Sequence, residues 1–269
     1  MPTLVRLSIT PVKGLRLAHP DTVGLTEDGI VTDRRFFLVG EEDELVDPSD
    51  HGPLLRVVPE YDPDHELLRL TFPNGSIVEG PADPVGDAVA TDVFGRIAEG
   101  RRLVGPFEEA LSAFVGRPVG IARAGRDGAA QDAHPLTIVS SASVRDLGRR
   151  GGRGNGLDAR RFRINLEVDG TEPYEEDTWS RRLVRIGEAT IRVLGQIPRC
   201  VVTTLGPDTG EKDFPTLHVI AGFRPRIGGR GGLPFGMYAE AVEAGTVRVG
   251  DAVEPLTSAR RGRTDAVGR

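Results

Sequence analysis

Cysteine is almost absent from this chain, and its scarcity excludes several kinds of site. Cys200 is the only cysteine among 269 residues. One cysteine cannot form an internal disulfide, so we expect a reducing, cytoplasmic location. Together with five scattered histidines, this cysteine lacks the ligand spacing of a zinc site. The sequence therefore offers a single thiol and no zinc motif.

Long apolar runs, excess positive charge and nucleotide-binding motifs are lacking as well. No run approaches the ~18 apolar residues that a membrane-spanning helix needs, and the first residues lack the basic start and apolar stretch of a signal peptide. The formal net charge of -6 argues against a nucleic-acid binder. There is no P-loop, and no G-x-G-x-x-G motif follows a strand. We therefore expect neither a membrane nor a nucleic acid as a partner.

Turn-forming residues are plentiful, with 35 glycines and 20 prolines. They indicate many turns and short strands, and thus a mainly β fold with some helix. Asn74-Gly75, between apolar segments, predicts a β-hairpin. Apolar residues at helical spacing over 107–115 predict a helix. Strands are predicted over 54–58 and 161–168.

A loop rich in glycine, alanine and charge, from Ala124 to Ala133, is the best candidate for a domain boundary. It divides the chain into residues 1–123 and residues 124–257. Residues 258–269 form a polar tail that we expect to be disordered. The short, regularly spaced strands of the first part favour a small barrel or sandwich.

The stretch around Cys200 is the most distinctive part of the sequence. A thiolate is a soft ligand for thiophilic metals and a strong nucleophile once its pKa is lowered. The adjacent Arg199 could supply a stabilising positive charge. Pro198 is expected to end the preceding element, and the β-branched residues 201–204 predict a strand after the cysteine. Cys200 could equally be a small buried hydrophobe, and the stretch alone leaves both interpretations open.

Basic residues recur at the edges of the predicted strands: Lys13, Arg34, Arg163 and Arg199. Arginine makes bidentate bonds to phosphate, and lysine provides a point charge. Asn165 shares a strand face with Arg163 because it lies two residues further on. Each of these taken alone is better explained as a solvated charge. A catalytic pairing of Cys200 with a histidine would need spatial proximity, which the sequence does not show, and His134 and His218 are the only plausible partners.

Taken together, these segments resemble the MOSC family, which is related to the C-terminal domain of molybdenum cofactor sulfurase. The likeness is strongest to the amidoxime-reducing component branch, which has an added N-terminal β-barrel domain, and it runs from Leu4 to about Leu256. The segments that carry it are 11–14, 33–39, 135–143, 161–165, 176–179, 199–210, 235–238 and 249–251.

The resemblance implies an N-terminal β-barrel-like domain packed on a β-barrel MOSC domain, with one molybdenum cofactor, a molybdopterin, held between them. In the family the motif cysteine is a ligand of molybdenum, and Cys200 occupies that position as metal ligand and catalytic residue. The family's contacts to the pterin and its phosphate, with the neighbouring positions that we add, fall on eight residues of this chain. They are Lys13, Gly14, Arg34, His134, Arg163, Asn165, Arg199 and Thr203.

Three positions depart from the family pattern. Gly14 replaces a frequent serine and loses a hydroxyl donor. Ala133 and His134 stand where small hydroxylated residues are common, so His134 could replace a hydroxyl contact to the phosphate. Gly206 replaces a usual aspartate. These departures concern details of cofactor and substrate binding more than the fold.

Family members reduce N-hydroxylated compounds to the parent N–H compounds with electrons from a partner protein. One cysteine cannot hold a four-cysteine iron–sulfur cluster, so a separate donor is implied, either a ferredoxin or a cytochrome b5-like protein with its reductase. Two other functions stay open: a sulfur carrier with a persulfide on Cys200, and a non-catalytic module that binds or delivers the cofactor.

Overall fold

The computed structural model describes residues 1–83, 86–228 and 232–256. The predicted tail, 258–269, lies outside the described residues. Three α-helices are described: α1 (Phe107–Val115), α2 (Ser141–Arg150) and α3 (Thr216–Ala221). Short 3₁₀ helices are Gly52–Arg56, Ala159–Phe162, Glu175–Trp179 and Val201–Thr204.

Strands dominate the described chain, which confirms the expected mainly β fold. In chain order they are β1 (Thr3–Leu7), β2 (Thr22–Thr26), β3 (Gly29–Ile30), β4 (Phe36–Val39), β5 (Leu45–Val46), β6 (Val58–Asp62), β7 (Leu67–Thr71), β8 (Ile77–Pro81), β9 (Ala88–Val93), β10 (Arg96–Arg102), β11 (Gly120–Ala124), β12 (Leu136–Ser140), β13 (Leu166–Asp169), β14 (Leu183–Ile186), β15 (Ala189–Arg199), β16 (Leu233–Glu243), β17 (Gly245–Arg248) and β18 (Val253–Pro255).

Two large sheets form the frame of the protein. The first has the order β1-β13-β12-β16-β15-β14-β18 and forms a nearly closed barrel. The second has the order β5-β4-β11-β10-β9 and forms a half-barrel. Two three-stranded sheets, β17-β2-β3 and β6-β7-β8, complete the described strands. This arrangement confirms the expected pair of barrel-like parts.

The first strands of the chain pair with strands from its second half. β1 pairs with β13, and β2 pairs with β17, both antiparallel. Leu4 and Leu7 of β1 are fully buried in one hydrophobic cluster with Trp179 and Met237. The strand pairing therefore crosses the predicted boundary at residue 123. Residues 3–7 and 22–30 pack with the later part of the chain. A domain boundary at residue 123 stays a prediction.

The second core belongs to the half-barrel. Helix α1, which is confirmed over the predicted residues, buries Phe107 and Leu111 there. Val12 and Leu15 are fully buried in the same cluster. Because these apolar residues flank Lys13, they fix the backbone of the short segment that carries its ammonium group.

Two predictions around the cysteine are wrong. Pro198 does not end the preceding strand, because β15 continues to Arg199 through a register shift between Gln196 and Pro198. Proline is tolerated in a strand at such an irregularity. Residues 201–204 form a 3₁₀ helix rather than a strand. Thr203 Oγ1 donates to the carbonyl of Cys200 at 2.9 Å, so a local side-chain bond overrides the β-branched preference.

The strand predicted over 161–168 begins only at Leu166, because a 3₁₀ helix precedes it. The Asp158 side chain caps that helix by accepting the N–H of Arg160 at 2.9 Å. Arg163 then turns the chain with a left-handed φ of 53°. The strand predicted over 54–58 is also largely wrong. Residues 52–56 form a 3₁₀ helix, with proline at its start.

Candidate functional site

A cavity of about 520 Å³ collects the predicted site residues from distant parts of the sequence. Its wall contains residues of the half-barrel, of the loop before β12 and of the segment at the end of β15. Eight of the nine predicted site residues line it: Lys13, Gly14, Arg34, His134, Arg163, Arg199, Cys200 and Thr203. The ninth, Asn165, lies behind the wall.

Cys200 follows β15 and precedes the 3₁₀ helix Val201–Thr204, and it is exposed. The alternative in which Cys200 is packed into the hydrophobic core is therefore wrong. The exposed surface of Cys200 faces the cavity and not the outer surface of the protein. Partial burial there raises the pKa of the thiol. The Val202 N–H and Arg199 act in the opposite direction, and Asp47 adds to the rise. The free thiol is consequently a protonated group at neutral pH rather than an activated nucleophile.

Lys13 and Arg34 are both buried cations of the cavity wall, with exposed fractions of 6% and 7%. The backbone N–H of Lys13 donates to the carbonyl of Phe36 at 2.8 Å, and that of Arg34 donates to Thr10 at 2.7 Å. Arg34 forms an ion pair with the fully buried carboxylate of Asp33. These contacts hold both cations beside the start of β4.

Arg163 approaches the same cluster from the other half of the chain. Its Nη2 donates to the carbonyl of Leu15 at 2.6 Å, and its own carbonyl accepts Nη2 of Arg34 at 3.1 Å. Burial, and then the charge of Arg34, lower the pKa of Arg163 to about 10. The group is still positively charged at neutral pH, so three cations converge on one side of the cavity.

Asp132 is the carboxylate that pairs with Lys13 in the cavity wall, and no sequence motif indicated it. Its carboxylate forms an ion pair with Lys13 Nζ. The exposed surface of Asp132 faces the cavity, where desolvation raises its pKa, but the charges of Lys13, Arg34 and Arg163 outweigh that effect and lower it to about 2. Asp132 belongs to the charged loop 124–133, whose composition indicates only a domain boundary. One carboxylate among 40 acidic residues carries no signal of its own.

Arg199 is held by two backbone carbonyls and keeps one nitrogen free of protein partners. Its Nε donates to Phe235 at 2.7 Å, and its Nη1 donates to Phe162 at 3.1 Å. Nη2 is buried and has no hydrogen-bond partner in the described part of the chain. Burial lowers the pKa of Arg199 to about 10. Gly236, with φ of 73°, leaves room for this guanidinium, since a Cβ there would lie 3.1 Å from Nη2.

Asn165 is buried, and its amide is occupied by protein partners. Nδ2 donates to Asp33 Oδ2 at 2.9 Å and to the carbonyl of Ser8 at 3.2 Å, while Oδ1 accepts from Thr137 at 2.9 Å. Asn165 therefore contacts the carboxylate that pairs with Arg34. A direct contact of Asn165 with a cofactor stays a prediction.

The remaining predicted residues have distinct surroundings. Gly14 has φ of 91°, a left-handed conformation that favours glycine. The ring of His134 lies 4.9 Å from that of Tyr238, and burial lowers the pKa of His134, so it is neutral at neutral pH. The hydroxyl of Thr203 is already engaged with the Cys200 carbonyl. His218, the other histidine considered as a partner of Cys200, does not line the cavity.

The described residues contain no group of three or more His, Cys, Asp or Glu side chains that could hold a metal ion. None of their helices combines the length and the apolar composition that crossing a membrane requires.

Two family models match most of the chain. Residues 1–118 match the MOSC N-terminal beta barrel domain, and residues 125–254 match the MOSC domain. A stretch of 128 residues is 36% identical to mitochondrial amidoxime reducing component 2 of Rattus norvegicus, covering 45% of this chain and 37% of that protein. Molybdenum cofactor sulfurase of Oryza sativa subsp. japonica is 27% identical over 300 residues, covering 94% of this chain and 35% of that protein.

The chain thus spans about a third of the length of these curated relatives. Among solved structures, the YUAD protein from Bacillus subtilis superposes with a TM-score of 0.47 and 12% identity, over 96% of this chain and 98% of the other. The two domain matches together cover nearly the whole sequence, and the protein is a member of the MOSC family that carries the family's N-terminal β-barrel domain.

Proposed function

We propose that this protein is a molybdenum cofactor-dependent reductase of N-hydroxylated small molecules that takes electrons from a separate redox protein. The observation that carries the proposal is the convergence of one exposed thiol, Cys200, with a cluster of cations on a single cavity of about 520 Å³. The names of the relatives, an amidoxime reducing component and a molybdenum cofactor sulfurase, point to the same cofactor.

The residues present fit such a cofactor on three counts. The thiol of Cys200 suits a soft metal. Lys13, Arg34 and Arg163 supply the charge-assisted donors that a phosphate group requires. The buried Nη2 of Arg199, which lacks a partner among the described residues, leaves a donor for an acceptor inside the cavity.

When bound, the molybdenum cofactor would supply two-electron chemistry that removes an oxygen atom from the substrate. The chain's own residues would perform the other tasks. Cys200 would be the protein's ligand to the metal, and the three cations would hold the phosphate. Arg199 would donate a hydrogen bond to the cofactor and so influence the redox potential of the cofactor. His134, neutral and in tilted ring contact with Tyr238, would form part of the wall that excludes water.

Two further proposals accompany this function. A ferredoxin or a cytochrome b5-like protein with its reductase would serve as the electron donor, because one cysteine cannot hold a four-cysteine cluster. A cytoplasmic location is proposed on the cysteine content alone.

The decisive experiment is elemental and pterin analysis of protein made in a host that synthesises the cofactor, together with reduction of an amidoxime by a chemical electron donor. We expect about one molybdenum and one pterin per chain and formation of the amidine. Metal-free protein with a persulfide on Cys200 would instead support a sulfur carrier. Full cofactor content without turnover would support a delivery protein. Either result would overturn the proposal that the protein is a reductase.

A further inference from the structure

The ion pair between Lys13 and Asp132 is unequal in burial. The side chain of Lys13 is 7% exposed, whereas that of Asp132 is 52% exposed. The ammonium group belongs to a segment anchored in the hydrophobic core by Val12 and Leu15. The carboxylate belongs to the loop before β12. The cation of this pair is therefore fixed, and the anion is the member that can rotate away.

The backbone around Asp132 is anchored independently of its carboxylate. Arg96 Nη1 donates to the carbonyl of Asp132 at 3.3 Å, and the neighbouring Gln131 side chain donates to the carbonyl of Asp33 at 3.4 Å. Ala130 is fully buried. A change of the Asp132 rotamer thus needs no movement of the loop.

The cations of the cluster differ in what neutralises them. Arg34 has Asp33 as a buried partner. Arg163 is bound to the carbonyl of Leu15. Lys13 has Asp132 as its carboxylate partner, with the ring of Phe94 5.4 Å from Nζ. An incoming anion that uses Lys13 must therefore compete with Asp132 for the same ammonium group.

We propose that Asp132 is an internal competitor for the anion bound by Lys13, Arg34 and Arg163, and that it determines which anions can enter the cluster. The identity of that anion as the phosphate of the cofactor rests on the proposed function. A tethered carboxylate acts at a high effective concentration, so a monovalent anion exchanges one charge for an equal one and gains little. A phosphate dianion with several acceptor oxygens replaces one carboxylate charge with two.

The competition also has a structural benefit. A buried ammonium group without a partner is unfavourable, and Asp132 neutralises Lys13 whenever no external anion does so. Removal of the Asp132 charge should consequently have opposite effects on two quantities. The protein without phosphate becomes less stable, and the affinity for phosphate increases.

The test uses the whole chain, produced in a host that cannot make the pterin. Inorganic phosphate is the probe. Calorimetry at low salt would compare the unaltered protein, Asp132→Asn and Asp127→Asn. Asp127 is a matched control because it lies in the same loop and pairs with Arg35, while it does not line the cavity. We expect phosphate to bind Asp132→Asn about tenfold more tightly, a factor typical of the loss of one competing hydrogen bond between charged groups. Asp127→Asn should bind phosphate like the unaltered protein.

Urea unfolding in phosphate-free buffer should show a lower midpoint for Asp132→Asn, and phosphate should restore it. Equal or weaker phosphate binding by this variant would overturn the proposal. If the variant does not fold, ¹³C NMR of the carboxyl groups in the unaltered protein decides. Saturating phosphate should move the Asp132 signal and raise its pKa toward the ordinary value, and an unmoved signal would refute the competition. These measurements use no molybdenum, so they are independent of the outcome for the reductase.

Discussion

Arg34 Nη2 donates a hydrogen bond to the backbone carbonyl of Arg163 at 3.1 Å, which joins two cations from opposite halves of the chain. Both residues have left-handed backbones, with φ of 50° and 53°. Such conformations are uncommon for residues other than glycine and persist where the surroundings impose them. The positive side of the cavity is therefore a product of contact between the two halves.

The first prediction concerns Arg163→Ala. The substitution removes one cation from the cluster and the hydrogen bond to the Leu15 carbonyl, which we expect to cost about 1–2 kcal/mol of unfolding free energy. Cofactor content should fall much further, at least tenfold, because a phosphate contact is lost. Molybdenum analysis and urea unfolding measure the two effects.

Arg185→Ala is the matched control for this variant. Arg185 lies on β14, is exposed and pairs with Glu254 outside the cavity. Its removal should change neither molybdenum content nor, beyond about 0.5 kcal/mol, stability. Unchanged molybdenum content in Arg163→Ala would show that this guanidinium does not hold the cofactor.

The second prediction concerns Cys200→Ser. Serine keeps the size of the side chain but replaces a soft ligand with a hard one. Because Cys200 is exposed, we expect a change of less than about 0.5 kcal/mol in stability and complete loss of amidoxime reduction. Activity assays and thermal unfolding check both statements. Retained turnover would exclude Cys200 as the metal ligand.

Local patterns predicted the elements that depend on local chemistry. Helix α1 and the hairpin at Asn74-Gly75, which joins β7 to β8, have the expected positions. The family segments also identified eight residues that line one cavity. Where two local preferences disagree, the prediction failed: residues 201–204 form a 3₁₀ helix because the hydroxyls of Thr203 and Thr204 donate to backbone carbonyls three residues earlier.

Contacts between distant segments were not predictable. Nothing in the sequence indicates that β1 joins the sheet of the later strands. The same holds for Asp132, whose importance arises from Lys13 more than one hundred residues away. The spacing of Asn165 from Arg163 predicted that both share a strand face. The left-handed turn at Arg163 and the start of β13 at Leu166 replace that strand, and the Asn165 amide lies against Asp33.

The third prediction concerns Asp33→Asn. The carboxylate of Asp33 accepts the N–H of Thr10 at 2.8 Å and the Asn165 amide at 2.9 Å, and it pairs with Arg34. An amide in its place leaves Arg34 without a buried counter-charge and turns a donor toward other donors. We expect a loss of about 3–5 kcal/mol in unfolding free energy. Chemical denaturation measures it.

Asp50→Asn serves as the control for Asp33→Asn, since Asp50 is an exposed acid near the same half-barrel. Its stability should remain within about 0.5 kcal/mol of the unaltered protein. A similarly small effect at Asp33 would mean that the junction between the two halves does not depend on this carboxylate.

The fourth prediction concerns Glu176 and pH. This carboxyl group is 1% exposed, and burial raises its pKa to about 7 despite hydrogen bonds from Ser140 N–H at 3.2 Å and Ser143 Oγ at 2.9 Å. A raised pKa in the folded state means that the folded protein holds this proton more tightly than the unfolded chain does. Glu176 therefore makes the protein less stable as pH rises from its unfolded pKa, near 4.5, to about 7.

Replacement of Glu176 by glutamine should remove this contribution. Urea unfolding at pH 5 and pH 8 would show a smaller loss of stability with pH in Glu176→Gln than in the unaltered protein, by at most about 3 kcal/mol. Glu175→Gln, at the adjacent position of the same 3₁₀ helix, provides the control and should keep the original pH dependence. If Glu176→Gln also kept it, the Glu176 carboxyl would titrate at its ordinary pKa, and the hydrogen bonds from Ser140 and Ser143 would have fully offset its burial.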